Sequence, residues 1–166
     1  MLEIRNATAA DAGQIAAIWN PIIRDTVITF NPVARSEGEI AQMITTRQRE
    51  GRAFLIAEDA GQPLGFASYD QFRPGLGNAR SMEHTINLAP AARGQGAGRA
   101  LLLAIEEHAT RAGHHLMVAA ITGTNDGSIR FHERMGYLHV GRMPQIGWKF
   151  GAYHDLVLMQ KFLSPG

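Results

Sequence analysis

The stretch Glu83-His-Thr-Ile-Asn-Leu88-Ala-Pro-Ala-Ala-Arg93-Gly-Gln-Gly96-Ala-Gly98-Arg99-Ala-Leu-Leu-Leu103 decides how this chain is read. Glu83–Leu88 has strand character and ends at Pro90. A turn with Gly94, Gly96 and Gly98 follows. A helix then runs from about Gly96 to Ala112, with Leu101, Leu102 and Ile105 facing inward. The first turn of a helix leaves backbone N–H groups without partners. Glycines let a ligand come close to that backbone. With the helix dipole they form an anion site best suited to phosphate, and Arg93 and Arg99 add charge beside it. The same glycines would also serve a turn that only changes direction. The segment is no P-loop, because no Lys-Ser/Thr follows the glycines. It is no dinucleotide fingerprint either: the glycines run GxGxG, in mid-chain, with no βαβ unit around them.

Working outward, Leu2–Thr8 reads as a strand. Thr8–Asp11 can cap a helix carrying Ile15, Ile18, Trp19 and Ile22 on one face. Ser36 and Glu39 make a capping box for a second helix that reaches Glu50, with Gly51 as its stop. Ala53–Glu58 and Leu64–Phe72 form a hairpin across Asp59–Gln62. Arg73–Arg80 is a Pro/Gly loop. After the central helix, capped by Gly113, come a strand (Leu116–Ile121), a short helix (Asn125–Met135) and two last strands, Tyr137–Met143 and Asp155–Phe162. Gln145–Tyr153 lies between those strands. This order predicts a mixed sheet with helices on its faces. No polar linker divides it, so residues 1–166 read as a single domain.

Composition narrows the function. Of 166 residues, 18 are glycine and none is cysteine, which removes disulfides, thiolate nucleophiles and cysteine-held metals. Sixteen basic residues against fifteen acidic ones give a net charge of +1, which argues against nucleic acid or an anionic membrane as the main partner. No apolar run is long enough to span a bilayer, and Met1–Asn6 is not patterned as a signal peptide, so a cytoplasmic location is expected. Seven histidines show no ligand spacing and no HExxH, so no metal is expected.

Arg93-Gly-Gln-Gly96-Ala-Gly98 resembles the R/Q-x-x-G-x-G/A motif of the GNAT superfamily of N-acetyltransferases, as does its setting between strand and helix. The later Asn125, Ser128 and Phe131-His-Glu-Arg-Met-Gly-Tyr137 stand where that family places them. Ile4-Arg5, Thr29-Phe30, Glu83-His-Thr85, Asn125-Asp126, His132-Glu133 and Tyr153-His-Asp155 are similar to its phosphinothricin/methionine sulfoximine acetyltransferase branch, over nearly the whole chain.

The resemblance implies an α/β (α+β) fold: a central mixed, mostly antiparallel sheet, flanked by helices and splayed at the acetyl-CoA site. It implies direct acetyl transfer from acetyl-CoA to the α-amino group of a small amino acid, without a covalent enzyme intermediate. Methionine sulfoximine, methionine sulfone and phosphinothricin are the candidate acceptors. A protein or peptide N-terminal acetyltransferase, another small-amine acetyltransferase and a non-catalytic acyl-CoA-binding module are the alternatives. The backbone of Ile86, Asn87 and Leu88 would bind the pantetheine amides and polarise the carbonyl. Arg93, Gly94, Gln95, Gly96, Ala97, Gly98 and Arg99 would hold the pyrophosphate.

Other residues keep two readings each. Glu83 would take the amine proton, directly or through water, or is a strand-end carboxylate. Asn125 is a helix cap, a pantetheine ligand or both, with Ser128 beside it. His132 would protonate the CoA sulfur, or packs or contacts the cofactor. Arg73 and Arg80 would bind the acceptor carboxylate, or are surface arginines. Phe30, Trp148 and Tyr153 would wall the pocket, or form a dimer contact or core edge. The branch usually dimerises, so a homodimer is expected.

Overall fold

The helices begin where the sequence supplies caps. Ser36 Oγ accepts from the Glu39 amide at 3.1 Å, and Glu39 Oε2 accepts from the Ser36 amide at 2.9 Å. This closes the expected capping box. Asp11 takes the Thr8 amide at 2.7 Å and both terminal nitrogens of Arg5 at 2.9 Å. The first strand and the first helix are thus clamped together.

The computed structural model describes residues 1–163. In chain order it contains β1 (Leu2–Asn6), α1 (Ala12–Asp25), α2 (Glu37–Arg49), β2 (Phe54–Asp59), β3 (Gln62–Gln71) and β4 (Ser81–Leu88). Then come α3 (Ala97–Arg111), β5 (Leu116–Thr122), α4 (Asp126–Arg134), β6 (Leu138–Lys149) and β7 (Ala152–Phe162). One seven-stranded sheet has the order β1-β2-β3-β4-β5-β7-β6. Its neighbours are antiparallel except β4 and β5. No helix among the described residues is long and apolar enough to cross a membrane.

Alternation along the strands divides the core in two. Phe54, Ile56 and Phe66 meet Ile15, Trp19, Ile40 and Ile44 of α1 and α2. Leu55, Ala67 and Tyr69 meet Leu101, Leu102 and Ile105 of α3 on the other face. Burying one such aliphatic side chain is worth about 1.5–3 kcal/mol.

The sheet opens at its middle. β4 and β5 pair only at Ser81–Leu116, Met82–Met117 and Glu83–Val118. Beyond these residues the two strands part, leaving a V-shaped gap. This is the expected splay.

The end of the chain departs from the sequence reading. Gln145–Tyr153 is not a connection between short strands. β6 and β7 form one long hairpin closed by Phe150-Gly151, both at positive φ (54° and 72°), with Trp148 opposite Tyr153. Positive φ at both turn residues matches the right-handed strand twist. Pro144 and Gly147 break the alternation within β6, and the structure absorbs them in a register shift between Met143 and Gly147, with Gln145 at φ 60°.

Candidate active site

β4 and β5 part beyond three paired positions, and the alternation of β4 delivers different chemistry to the two sides of the gap. Register on β3 places Glu83, Thr85 and Asn87 beside Asp70, Ser68 and Phe66, on the α1–α2 face. His84, Ile86 and Leu88 lie opposite Tyr69, Ala67 and Gly65, on the α3 face. A cavity of about 240 Å³ opens at the gap, lined by Trp19, Thr29, Arg35, Glu83, Thr85 and Thr122 among others. A groove of about 400 Å³ runs along Leu88, Arg93, Gly94, Gly98 and Phe131. The two share Ile28, Ile86, Asn87, Asn125, Ser128 and His132. They meet at the end of β4.

The groove ends at the glycine turn. Gly94 and Gly96 have φ of 78° and 83°, which side-chain-bearing residues rarely adopt. The N–H groups of Gly94, Gly96, Ala97, Gly98 and Arg99 have no acceptor among the described residues. That is the donor array an anionic group requires. Gln95 turns its side chain back to the Ala91 carbonyl at 2.6 Å and holds the turn from inside. Gly98 lies close under the strand end: a Cβ there would stand 3.3 Å from Leu88 Cδ1. These residues fit the pyrophosphate of acetyl-CoA. Ile86, Asn87 and Leu88 edge the open side of β4, where an extended pantetheine arm could pair.

Glu83 is half-buried at the mouth of the gap and accepts no hydrogen bond from the described residues. Burial pushes its carboxyl above the usual range. Arg47 pulls it back and Asp70 pushes it further up. Asp70, across on β3, is ion-paired with Arg52. Arg47 continues the buried stripe of Ile40 and Ile44 on α2.

On the other face His132 meets His84, with Nε2 atoms 3.1 Å apart and rings stacked at 5.0 Å. His132 Nδ1 donates to the Ser128 carbonyl at 2.7 Å. The network therefore assigns the His132 proton to Nδ1, and its Nε2 accepts from His84. His84 is held down to about pKa 3, by burial first and His132 next, and burial also lowers His132. Both are neutral at pH 7. In this arrangement His132 has no N–H free for a sulfur. Asn125 caps α4, its Oδ1 accepting from the Ser128 amide at 3.3 Å, and it also borders both cavities. Cap and ligand positions coincide in this residue.

Of the expected acceptor residues, Glu83 borders the cavity and the others do not. Arg73 and Arg80 are exposed on the loop before β4 and border neither cavity. Phe30 stacks on His154 at 5.9 Å, against Gly147. Trp148 and Tyr153 pair at 4.8 Å near the hairpin tip, 58% and 63% exposed, outside both cavities. The cavity is lined instead by Arg35, Trp19, Ile28 and Thr29, none of which the sequence reading marks as an acceptor residue. Trp19 enters that reading only as a buried helix position, and Thr29 only as part of the resemblance, beside Phe30. No group of three or more His, Cys, Asp or Glu among the described residues could hold a metal ion.

Residues 19–137 match the Acetyltransferase (GNAT) family, and the chain belongs to it. Its relatives cover it almost end to end. One is an L-methionine sulfoximine/L-methionine sulfone acetyltransferase from Pseudomonas aeruginosa, 40% identical over 98% of this chain and 95% of the relative. An acetyltransferase from Salmonella typhimurium, solved with its cofactor acetyl-CoA, superposes with a TM-score of 0.96 at 34% identity, covering 100% of this chain and 96% of that one. A phosphinothricin acetyltransferase from Sinorhizobium meliloti, in complex with acetyl-CoA, gives a TM-score of 0.92 at 32% identity, covering 97% and 88%. The chain is an acetyl-CoA-dependent acyltransferase acting on a small amine.

One prediction belongs to the groove. Gly98→Ala should raise the Kd for acetyl-CoA about tenfold, because a methyl group enters the groove beside Leu88. Calorimetric titration checks this against melting temperature. A large loss of stability with unchanged affinity would mean the glycine serves packing alone.

Proposed function

We propose that the enzyme acetylates the α-amino group of a small amino acid, with methionine sulfone, methionine sulfoximine and phosphinothricin as the leading candidates. The observation that carries this reading is the meeting of a small polar cavity, holding Glu83 and Arg35, with the glycine-turn groove at the end of β4. A cavity of about 240 Å³ suits a single amino acid better than a polypeptide segment.

Acetyl-CoA lies with its pyrophosphate on the amides of residues 94–99 and its pantetheine arm along Ile86–Leu88. The thioester carbonyl then sits at the junction, polarised by a backbone N–H of β4. The acceptor enters the cavity with its ammonium toward Glu83. Glu83 takes one proton, directly or through water, and the neutral amine attacks the carbonyl carbon. The C–N bond forms, the C–S bond breaks and its electron pair leaves on sulfur. The second proton, shed by the new amide nitrogen, passes to the thiolate, so that CoA leaves as its thiol, and Glu83 returns its own proton to solvent. His132, bonded to the Ser128 carbonyl, holds the start of α4 with Ser128 and Asn125 at the junction of the two cavities. The exposed outer strip of Leu138, Val140, Ile146 and Trp148 on β6 supports a homodimer.

A steady-state panel tests the reading. The three amino acids should be turned over with acetyl-CoA, and polyamines and peptide N-termini should not. Turnover of polyamines or peptides without the amino acids would overturn it.

A further inference from the structure

We infer that Arg35 is the carboxylate-binding residue of the acceptor cavity. The inference rests on the amino-acid reading above and goes beyond it by naming the group that recognises the acid.

Arg35 borders the cavity together with Glu83. Its Nε is buried and has no hydrogen-bond partner. Its guanidinium lies on the Trp19 ring, 4.6 Å from the centroid, and forms no ion pair among the described residues. The ring packs against the guanidinium but accepts no hydrogen bond in its plane, which leaves the buried Nε without a partner. A buried donor without an acceptor is costly, and a carboxylate matches the guanidinium fork with two parallel bonds.

The residue is also held in advance. Asn20 of α1 grips its backbone on both sides: Asn20 Nδ2 donates to the Arg35 carbonyl and Asn20 Oδ1 accepts from the Arg35 amide, each at 2.9 Å. This clasp fixes a residue that lies outside any helix or strand. A site that is ordered before the ligand arrives loses less entropy on binding.

Arg47 borders neither cavity. It is half-buried on α2, within electrostatic reach of Arg35 and Glu83, and has no ion pair among the described residues. The nearby Asp70 is already paired with Arg52. Within the cavity one guanidinium, Arg35, and one carboxylate without a partner, Glu83, therefore share the lining, and the ammonium of the acceptor approaches the carboxylate. An α-amino acid completes this pattern, ammonium to Glu83 and carboxylate to Arg35. A polyamine would bring a further cation against Arg35 and is disfavoured.

The test compares L-methionine sulfone with its primary carboxamide, which keeps the amine and loses the charge. Wild type should favour the acid by about 100-fold in kcat/KM. Arg35→Met should lower kcat/KM for the acid about 100-fold, mostly through KM, and change the amide by less than about threefold. Arg35→Lys should recover part of the loss, and KM for acetyl-CoA should stay unchanged. An acid preference that survives in Arg35→Met, or an equal loss for acid and amide, would overturn the assignment.

Calorimetric titration of the CoA-loaded protein with L-methionine sulfone and with propionate reads the same site without turnover. If wild type acetylates none of the amino acids, the substrate reading fails by itself. Arg35 is then upheld by carboxylate binding that weakens about tenfold or more in Arg35→Met. It is overturned if wild type binds neither carboxylate or if the variant binds as well as wild type.

Discussion

Glu83→Gln should lower kcat/KM for the amino-acid acceptor about 100-fold or more at neutral pH, leaving the Kd for acetyl-CoA within about twofold. The substitution keeps size and polarity and removes the proton acceptor. Its signature lies in the pH profile. A general base works in its deprotonated form, and burial raises the Glu83 carboxyl above its ordinary value. The wild-type rate should therefore climb as pH rises through that raised pKa and then level off. In the glutamine variant this acidic limb should vanish, leaving a low, flatter profile. A variant with the wild-type rate and limb would make Glu83 an ordinary strand-end carboxylate.

Lys149→Met should lower the melting temperature by about 10 °C, from a loss of roughly 3–5 kcal/mol. Lys149 is only 3% exposed. Its ammonium donates to the carbonyls of Ile23, Thr26 and Thr29, which uses all three of its N–H bonds. It thus closes the C-terminal end of α1 and ties the following segment to the β6–β7 hairpin. Thr122 donates to the Val27 carbonyl from β5. Methionine fills the space but takes the ammonium donor from one buried and two part-buried carbonyls. Because Ile28 and Thr29 line the cavity, KM for the acceptor should rise as well, by about threefold or more. Thermal unfolding and acceptor kinetics read the two effects. A melting temperature within about 2 °C of wild type would show that water satisfies those carbonyls.

Local signals carried much of the fold and part of the site. Ser36 and Glu39 announce α2 because a capping box is a contact within one turn. The glycine turn shows its purpose for the same reason: strand, positive-φ glycines and helix start are contiguous. The alternation that separates Glu83 from His84 is also local, since neighbours on a strand face opposite ways. What was hidden depends on distant pairing. Arg35 acquires its meaning from Asn20, fifteen residues earlier, and from Trp19 beneath it. His84 meets His132 across 48 positions, and Lys149 reaches α1 across 126. No spacing rule predicts such contacts. Phe150-Gly151 could have signalled the hairpin, as a glycine turn flanked by apolar and aromatic residues, but Pro144 and Gly147 interrupted the pattern upstream.

Transfer of a labelled acetyl group, followed by NMR from acetyl-CoA to L-methionine sulfone, tests the central claim most directly. The account predicts that the label appears on the α-nitrogen of the amino acid, with one CoA released per product and none of the label retained by the protein. Label that stays on CoA in the presence of the amino acid, or that accumulates on the enzyme, would contradict it.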